Sequence, residues 1–216
     1  MKRVVTADAA PDGAARYSRL VLAGGAFLAL SACTFHHAIA IRYTPLIQTK
    51  RLAQVANPEV MTIGQFQDAR GDKTLDRERI NPISIHHVEY DTIGDVPALV
   101  RSAFLDALLK SGFTVPMEGD TATSEPLLRL SGKVLTYGTD LKSHWSSVEV
   151  SAAVEVELTL VHRNGKTVTM VVSGKNQAEG KGSLGTDAMV NALDVALQES
   201  TKTFLQDERF LALLKE

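Results

Sequence analysis

The clearest pattern along the chain is a strict alternation from Val148 to Leu160. Val148, Val150, Ala152, Val154, Val156, Leu158 and Leu160 take turns with Glu149, Ser151, Ala153, Glu155, Glu157 and Thr159. A period of two puts each set on its own face of a strand, so the spacing predicts one buried face and one acidic face in solvent. Leu127 to Tyr137 precedes it as the expected partner strand, with Gly132 as a candidate bulge. Arg163-Asn164-Gly165 follows as a turn. A two-residue loop there would set the outward Glu157 against Val172. A three-residue loop sets Leu160 opposite Val168, Leu158 opposite Met170 and Val156 opposite Val172, so the expected turn is type I with a bulge glycine at Gly165.

Helical spacing appears twice. Val96, Leu99, Val100, Ala103, Phe104, Ala107 and Leu108 recur at intervals of three and four. Asp95 can cap the start, Pro97 suits the first turn, and Gly112 can close the end in a left-handed conformation. A second helix is expected from Thr186 or Asp187, with Met189, Leu193, Ala196, Leu197 and Phe204 on its apolar side and a short final turn over 207–214. Phe104 and Leu193 are the expected core residues of the two helices. Val60 to Phe66 reads as a strand ending at the polar Asp68-Ala69-Arg70-Gly71-Asp72-Lys73 loop, Ile83 to Val88 as a weaker strand, and Phe113 to Val115 as a short one. This order implies an α/β (α+β) fold: a two-layer sandwich with a mostly antiparallel sheet of about five strands and two amphipathic helices on one face.

The N-terminal region follows another rule. Lys2, Arg3, Arg16 and Arg19 precede an apolar run from Leu20 to Leu30, which ends in Leu30-Ser31-Ala32-Cys33. A charged segment, a short apolar core and small residues in that order form a secretory leader, and the core is shorter than the about 20 apolar residues a membrane span needs. Cys33 is the only cysteine of the chain. The four residues 30–33 resemble the lipobox of bacterial lipoproteins. That resemblance implies diacylglyceryl transfer to the Cys33 thiol, cleavage between Ala32 and Cys33, and acylation of the new amino terminus, typically with palmitate. The expected organisation is a signal peptide over 1–32, a lipidated N-terminus and tether over 33–57, and one periplasmic domain over 58–216.

Cleavage there leaves 184 residues, ample for one core, with 19 basic against 23 acidic groups. That balance does not suggest nucleic acid as a partner. With its only thiol used for lipid the chain can form no disulfide, so its stability must come from packing. Thr34 rather than aspartate follows the cysteine. The resemblance therefore points to the outer membrane in preference to the inner, with the domain facing the periplasm.

Few residues suggest chemistry. His86 and His87 are neighbours and would point to opposite faces of a strand, and His36 and His37 lie in the expected tether, so no metal or other cofactor is expected. Asp68, Arg70, Asp72 and Asp76 form the densest charged cluster, readable as a functional loop or as a solvated turn held by Asp side chains. Neither it nor the rest of the chain shows a nucleophile with its base, so the chain does not read as an enzyme. The glycine-rich stretch 175–185 lacks the spacing of a phosphate-binding loop. Trp145, in the link between two long strands, reads equally as a contact anchor or as packing against the sheet edge. Together with Glu149, Glu155, Glu157, Asp68 and Arg70 it makes up the expected partner-contact set.

The lipobox, the strand ending Asp68-Ala69-Arg70, the helix opening Asp95-Val96-Pro97-Ala98-Leu99-Val100 and the helix exit Leu109-Lys110-Ser111-Gly112-Phe113 together resemble the YajG-type bacterial lipoprotein family over residues 58–205. Ile80 is followed by Asn81 where relatives often carry Ile-Gly. The resemblance implies a non-catalytic envelope lipoprotein whose partners are the membrane, through Cys33, and another envelope protein. The alternative expectation is an auxiliary subunit of an ABC-type lipid or solute transport system. An apolar groove between helix and sheet would distinguish it.

Overall fold

The computed structural model describes residues 35–45, 60–79, 87–116, 125–143, 147–180 and 186–216. The strands are β1 (Phe35–Ala40), β2 (Met61–Asp68), β3 (Asp76–Arg79), β4 (His87–Ile93), β5 (Leu128–Ser143), β6 (Val148–His162) and β7 (Thr167–Gly180). Helix α1 (Val96–Lys110) follows β4, and α2 (Thr186–Gln206) and the short α3 (Glu208–Leu213) follow β7. The fold is mixed α+β with helices packed on sheet, as expected. In place of one sheet of about five strands there are two, ordered β2-β5-β6-β7 and β1-β4-β3. Strands β5, β6 and β7 form an antiparallel meander, and β3 is antiparallel to β4. Strand β2 joins β5, and β1 joins β4, in parallel.

The β6–β7 hairpin has the expected register, pairing Leu160 with Val168, Leu158 with Met170 and Val156 with Val172. The Gly165 amide donates to the His162 carbonyl at 2.8 Å and Gly165 has φ +87°, which is the type I turn with its bulge glycine. Helix α1 also starts and stops where its capping residues say. The Asp95 carboxylate accepts from the Ala98 amide at 3.1 Å, Ser111 is the C-cap, and Gly112 has φ +93°.

Three local expectations change. The bulge is not at Gly132. Instead β2 carries one extra residue between Ile63 and Phe66, and β5 carries one between Val134 and Thr136. Gly132 is a seat for Phe66, since a Cβ there would lie 2.5 Å from the ring. Of the weak strand expected over Ile83 to Val88, residues 83–86 lie outside the described residues, and from His87 it is β4, which continues to Ile93; the polar Glu89, Asp91 and Thr92 dilute its alternation, while Tyr90 is fully buried. The short strand at Phe113 reduces to a single bridge between Val60 and Thr114.

Part of the stretch expected as tether is folded. Beyond β1, residues 41–45 cross both helices: Arg42 Nη2 donates to Asn191 Oδ1 (2.6 Å), Tyr43 Oη to Asp106 Oδ2 (3.0 Å) and the Thr44 amide to Asp194 Oδ1 (2.7 Å). Asp194 is thereby a buried carboxylate with a donor, as burial of charge requires.

The core lies between the helices and the larger sheet. Phe104 is fully buried and Leu193 nearly so, in agreement with their expected roles. A run of ring contacts, Phe66 to Phe104 (5.7 Å), Phe104 to Phe204 (5.6 Å), Phe204 to Phe210 (4.4 Å) and Phe210 to Phe113 (6.0 Å), joins β2, α1, α2 and α3. Helix α2 lies so close to β7 that a Cβ on Gly174 would fall 1.9 Å from the Ala196 carbonyl oxygen. Leu75 ties the two sheets together. Its amide donates to the Tyr90 carbonyl (2.6 Å) and its carbonyl accepts from the Thr139 amide (2.8 Å), on the part of β5 that extends past the end of β2.

Candidate functional site

The Asp68-Ala69-Arg70 segment leaves β2 at the foot of the larger sheet. Asp68 Oδ1 accepts from the Arg70 amide (3.2 Å) and Nε (2.9 Å), and Asp68 Oδ2 accepts from Nη2 (2.9 Å). This planar fork holds the Asp68 carboxyl below the usual carboxylate range, chiefly through the Arg70 side chain. The solvated-turn reading fails for Arg70, which is only 9% exposed, because the chain folds its guanidinium inward. Asp72 makes the Asx turn that the sequence suggested, accepting from the Thr74 amide and hydroxyl. Asp68 and Arg70 thus form a part-buried ion pair and Asp72 an exposed turn, while the Asp76 side chain lies outside the described residues.

Sequence reasoning missed what Arg70 faces. Among the described residues, Arg70 Nη1 and Tyr137 Oη are buried without a protein hydrogen-bond partner. Burial pushes the Tyr137 hydroxyl up, and the Asp194 charge raises it further while Arg70 opposes. Tyr137 therefore stays a neutral phenol, able to donate and accept but not to act as a base at neutral pH. A carboxylate between Leu193 and Val195 on an apolar helical stripe was the available signal for Asp194. His162 was missed as well. It continues the inward phase of β6, is 3% exposed, and its Nδ1 accepts from the Asn164 amide at 3.2 Å.

On the face of the larger sheet away from the helices lies an open recess of about 790 Å3, bordered by Asp72, Gly138, Asp140, Ser151, Lys175 and Gln177 among others. Small residues on β5 and β6 form its floor, with carboxylates on one side and a lysine on the other. No histidine or cysteine is among the described residues that line it. It can offer opposed charges and hydrogen bonds to a bound group.

The expected acidic face is more mixed than its strand suggested. Glu149, Glu155 and Glu157 all point away from the core and are half-buried. Glu157 accepts from Lys133 Nζ at 2.8 Å, and Glu149 stands opposite Lys142 on β5 and Glu179 on β7. Neighbouring strands interleave lysines that no single-strand reading can see. Ala32, Cys33 and Trp145 lie outside the described residues, as does His86; His87 opens β4. No group of His, Cys, Asp and Glu among the described residues has the spacing to hold a metal ion, and no described helix is long and apolar enough to cross a membrane.

No family model and no curated protein matches the chain. Solved structures with a similar arrangement include a Xanthomonas campestris protein of the DUF330 family, 16% identical, with TM-score 0.45 over 79% of this chain and 92% of that one. Another is a neuraminyllactose-binding hemagglutinin homologue from Helicobacter pylori, 14% identical, with TM-score 0.40 over 81% and 99%. A third is a minor lipoprotein from Acinetobacter baumannii, 8% identical, with TM-score 0.38 over 68% and 89%. At such scores these likenesses carry no functional weight, and the reading of this chain rests on its own residues.

Proposed function

We propose that this chain is a non-catalytic lipoprotein of the bacterial cell envelope, a binding or assembly module held by acyl groups on Cys33. It faces the periplasm from the outer membrane. The observation that carries the reading is Leu30-Ser31-Ala32-Cys33 at the end of a charged and then apolar leader. Several acyl chains make such attachment effectively permanent, since each buried methylene contributes about 0.8 kcal/mol. The charged outer face of β5, β6 and β7, with its half-buried β6 glutamates, and its open recess suit contact with an envelope protein better than chemistry. The space between helices and sheet holds the phenylalanine run, so no observation favours the transport-subunit alternative with its apolar groove.

Mass spectrometry of the mature protein from a native-like host should find an acylated N-terminal Cys33, and Cys33→Ser should release the protein from the membrane fraction. An unmodified thiol at Cys33 in the mature protein would refute the anchoring. For the contact role, in-cell crosslinking from position 145 should capture a discrete partner, and from Lys166 on the far hairpin it should not. Equal, diffuse products from both positions would remove the case for a specific surface near Trp145.

A further inference from the structure

We infer that the domain is seated directly on the phospholipid surface, with the starts of β1 and β4 and the end of β3 against the headgroups and the Arg163–Lys166 turn pointing away. The inference rests on the anchoring at Cys33 proposed above. Strand β1 begins at Phe35, so only Thr34 separates it from the acylated residue. Two residues reach at most about 7 Å. Phe35 is held in register with Val88, and Arg79 with His87, so three strand ends of the small sheet share that short leash. With strands about 4.8 Å apart, positions 79 and 87 lie within about 15 Å of the anchor.

The other end of β1 is fastened, so the domain cannot swing away on a loose segment. Arg42 bonds Asn191, the Thr44 amide bonds Asp194, and the Thr44 carbonyl accepts from Gln198 Nε2 at 3.2 Å. The chain therefore leaves the surface and runs along α2 toward that helix's C-terminal end. From there α3 leads to Glu216, which binds Asn164 and Lys166 at the hairpin. The six residues of β1 span about 20 Å and the twelve helical ones from 194 to 206 about 18 Å, which puts that turn about 40 Å from the bilayer. The surface available to a partner is then the flank of the sheet, and the module acts within a few nanometres of its own membrane.

The test uses the full acylated protein in vesicles of phosphatidylethanolamine and phosphatidylglycerol that carry a headgroup spin label. Because Cys33 is consumed by lipid, one introduced cysteine accepts the fluorophore, at Arg79→Cys, His87→Cys or Asn164→Cys in separate proteins. Quenching at 79 and 87 should exceed that at 164 by about threefold or more. Inserting fifteen Gly/Ser residues between Thr34 and Phe35, a coil spanning about 20 Å, should bring 79 and 87 down toward 164. Circular dichroism confirms that each labelled protein is folded. With Cys33 shown acylated, equal quenching at all three positions, or no effect of the insertion, overturns the seating alone. An unacylated Cys33 in membrane-extracted protein overturns both the anchoring and the seating.

Discussion

Replacing Gly174 with alanine should destabilise the domain far more than its single added methyl suggests. An ideal Cβ at position 174 lies 1.9 Å from the Ala196 carbonyl oxygen and 2.5 Å from the Ser200 amide nitrogen. These two atoms are backbone of the same helical turn, so no side chain can rotate out of the way. To restore ordinary contact α2 must recede by about 1.5 Å. That helix buries Ala192, Leu193, Ala196, Leu197 and Phe204, and a gap of 0.5 to 1 Å already forfeits a quarter to a half of the dispersion energy across it. Overpacking costs typically about 1 to 3 kcal/mol, and with backbone on both sides we expect about 3 to 5. For a domain of this size that lowers Tm by roughly 6 to 20 °C. The assay is thermal unfolding followed by circular dichroism in the Cys33→Ser background. Gly71→Ala, where nothing lies within 4 Å of the added atom, is the neutral control. Gly165→Ala, with open space but φ +87°, should lose about 1 to 2 kcal/mol from backbone strain alone. A Gly174→Ala midpoint within 1 °C of the parent would refute the helix–strand approach.

Other outcomes follow from the same packing. Phe104→Ala should cost about 3 to 5 kcal/mol in urea unfolding, because it opens a cavity between Phe66 and Phe204. Asp68→Asn should cost about 2 to 4 kcal/mol, less than the loss of a wholly enclosed pair because a fifth of the Asp68 side chain is exposed. Since the Asp68 carboxyl is lowered in the folded protein, its contribution is complete above about pH 4 and is lost as pH falls through the native value. A stability–pH curve of Asp68→Asn should therefore be flatter below pH 4 than that of the parent. Removing residues 33–45 should cost about 3 to 6 kcal/mol by exposing the site of Ile39 and leaving Asp194 without the Thr44 amide. Asp194→Asn should recover part of that loss in the shortened protein and none in the full one.

What was legible in the sequence is local. Asp95, Pro97 and Gly112 mark a helix through bonds that span four residues at most, and the choice of turn at Gly165 needed only the facing side chains of one hairpin. Arg70, Tyr137 and Asp194 come from three distant segments, and nothing near any of them states that the other two will be there. The same holds for β1. Its pairing comes from the distant β4, and the segment after it is held by partners on α2, so no local period announces either. Trp145 and Cys33, on which the contact and anchoring proposals turn, are identified by sequence pattern alone.

The extra residue in β5 gives that strand slack. Before it, Leu128, Leu130 and Val134 face the helices; after it, Tyr137 and Leu141 do, so the inward positions change from even to odd. The ladder with β6 steps over Leu135, pairing Val134 with Val156 and Thr136 with Glu155. Leu135 can therefore be deleted without turning any other side chain of β5 around. The loss of a different residue nearby, such as Lys133, can be absorbed by drawing Leu135 into the ladder, where it would fill the place of Val134. Without that reserve, a one-residue deletion would rotate Asp140 and Lys142 into the core and Tyr137 and Leu141 out of it, at a cost of several kcal/mol for each buried charge. Length variation in this strand should thus be milder than in β6, where the alternation runs unbroken from Val148 to His162.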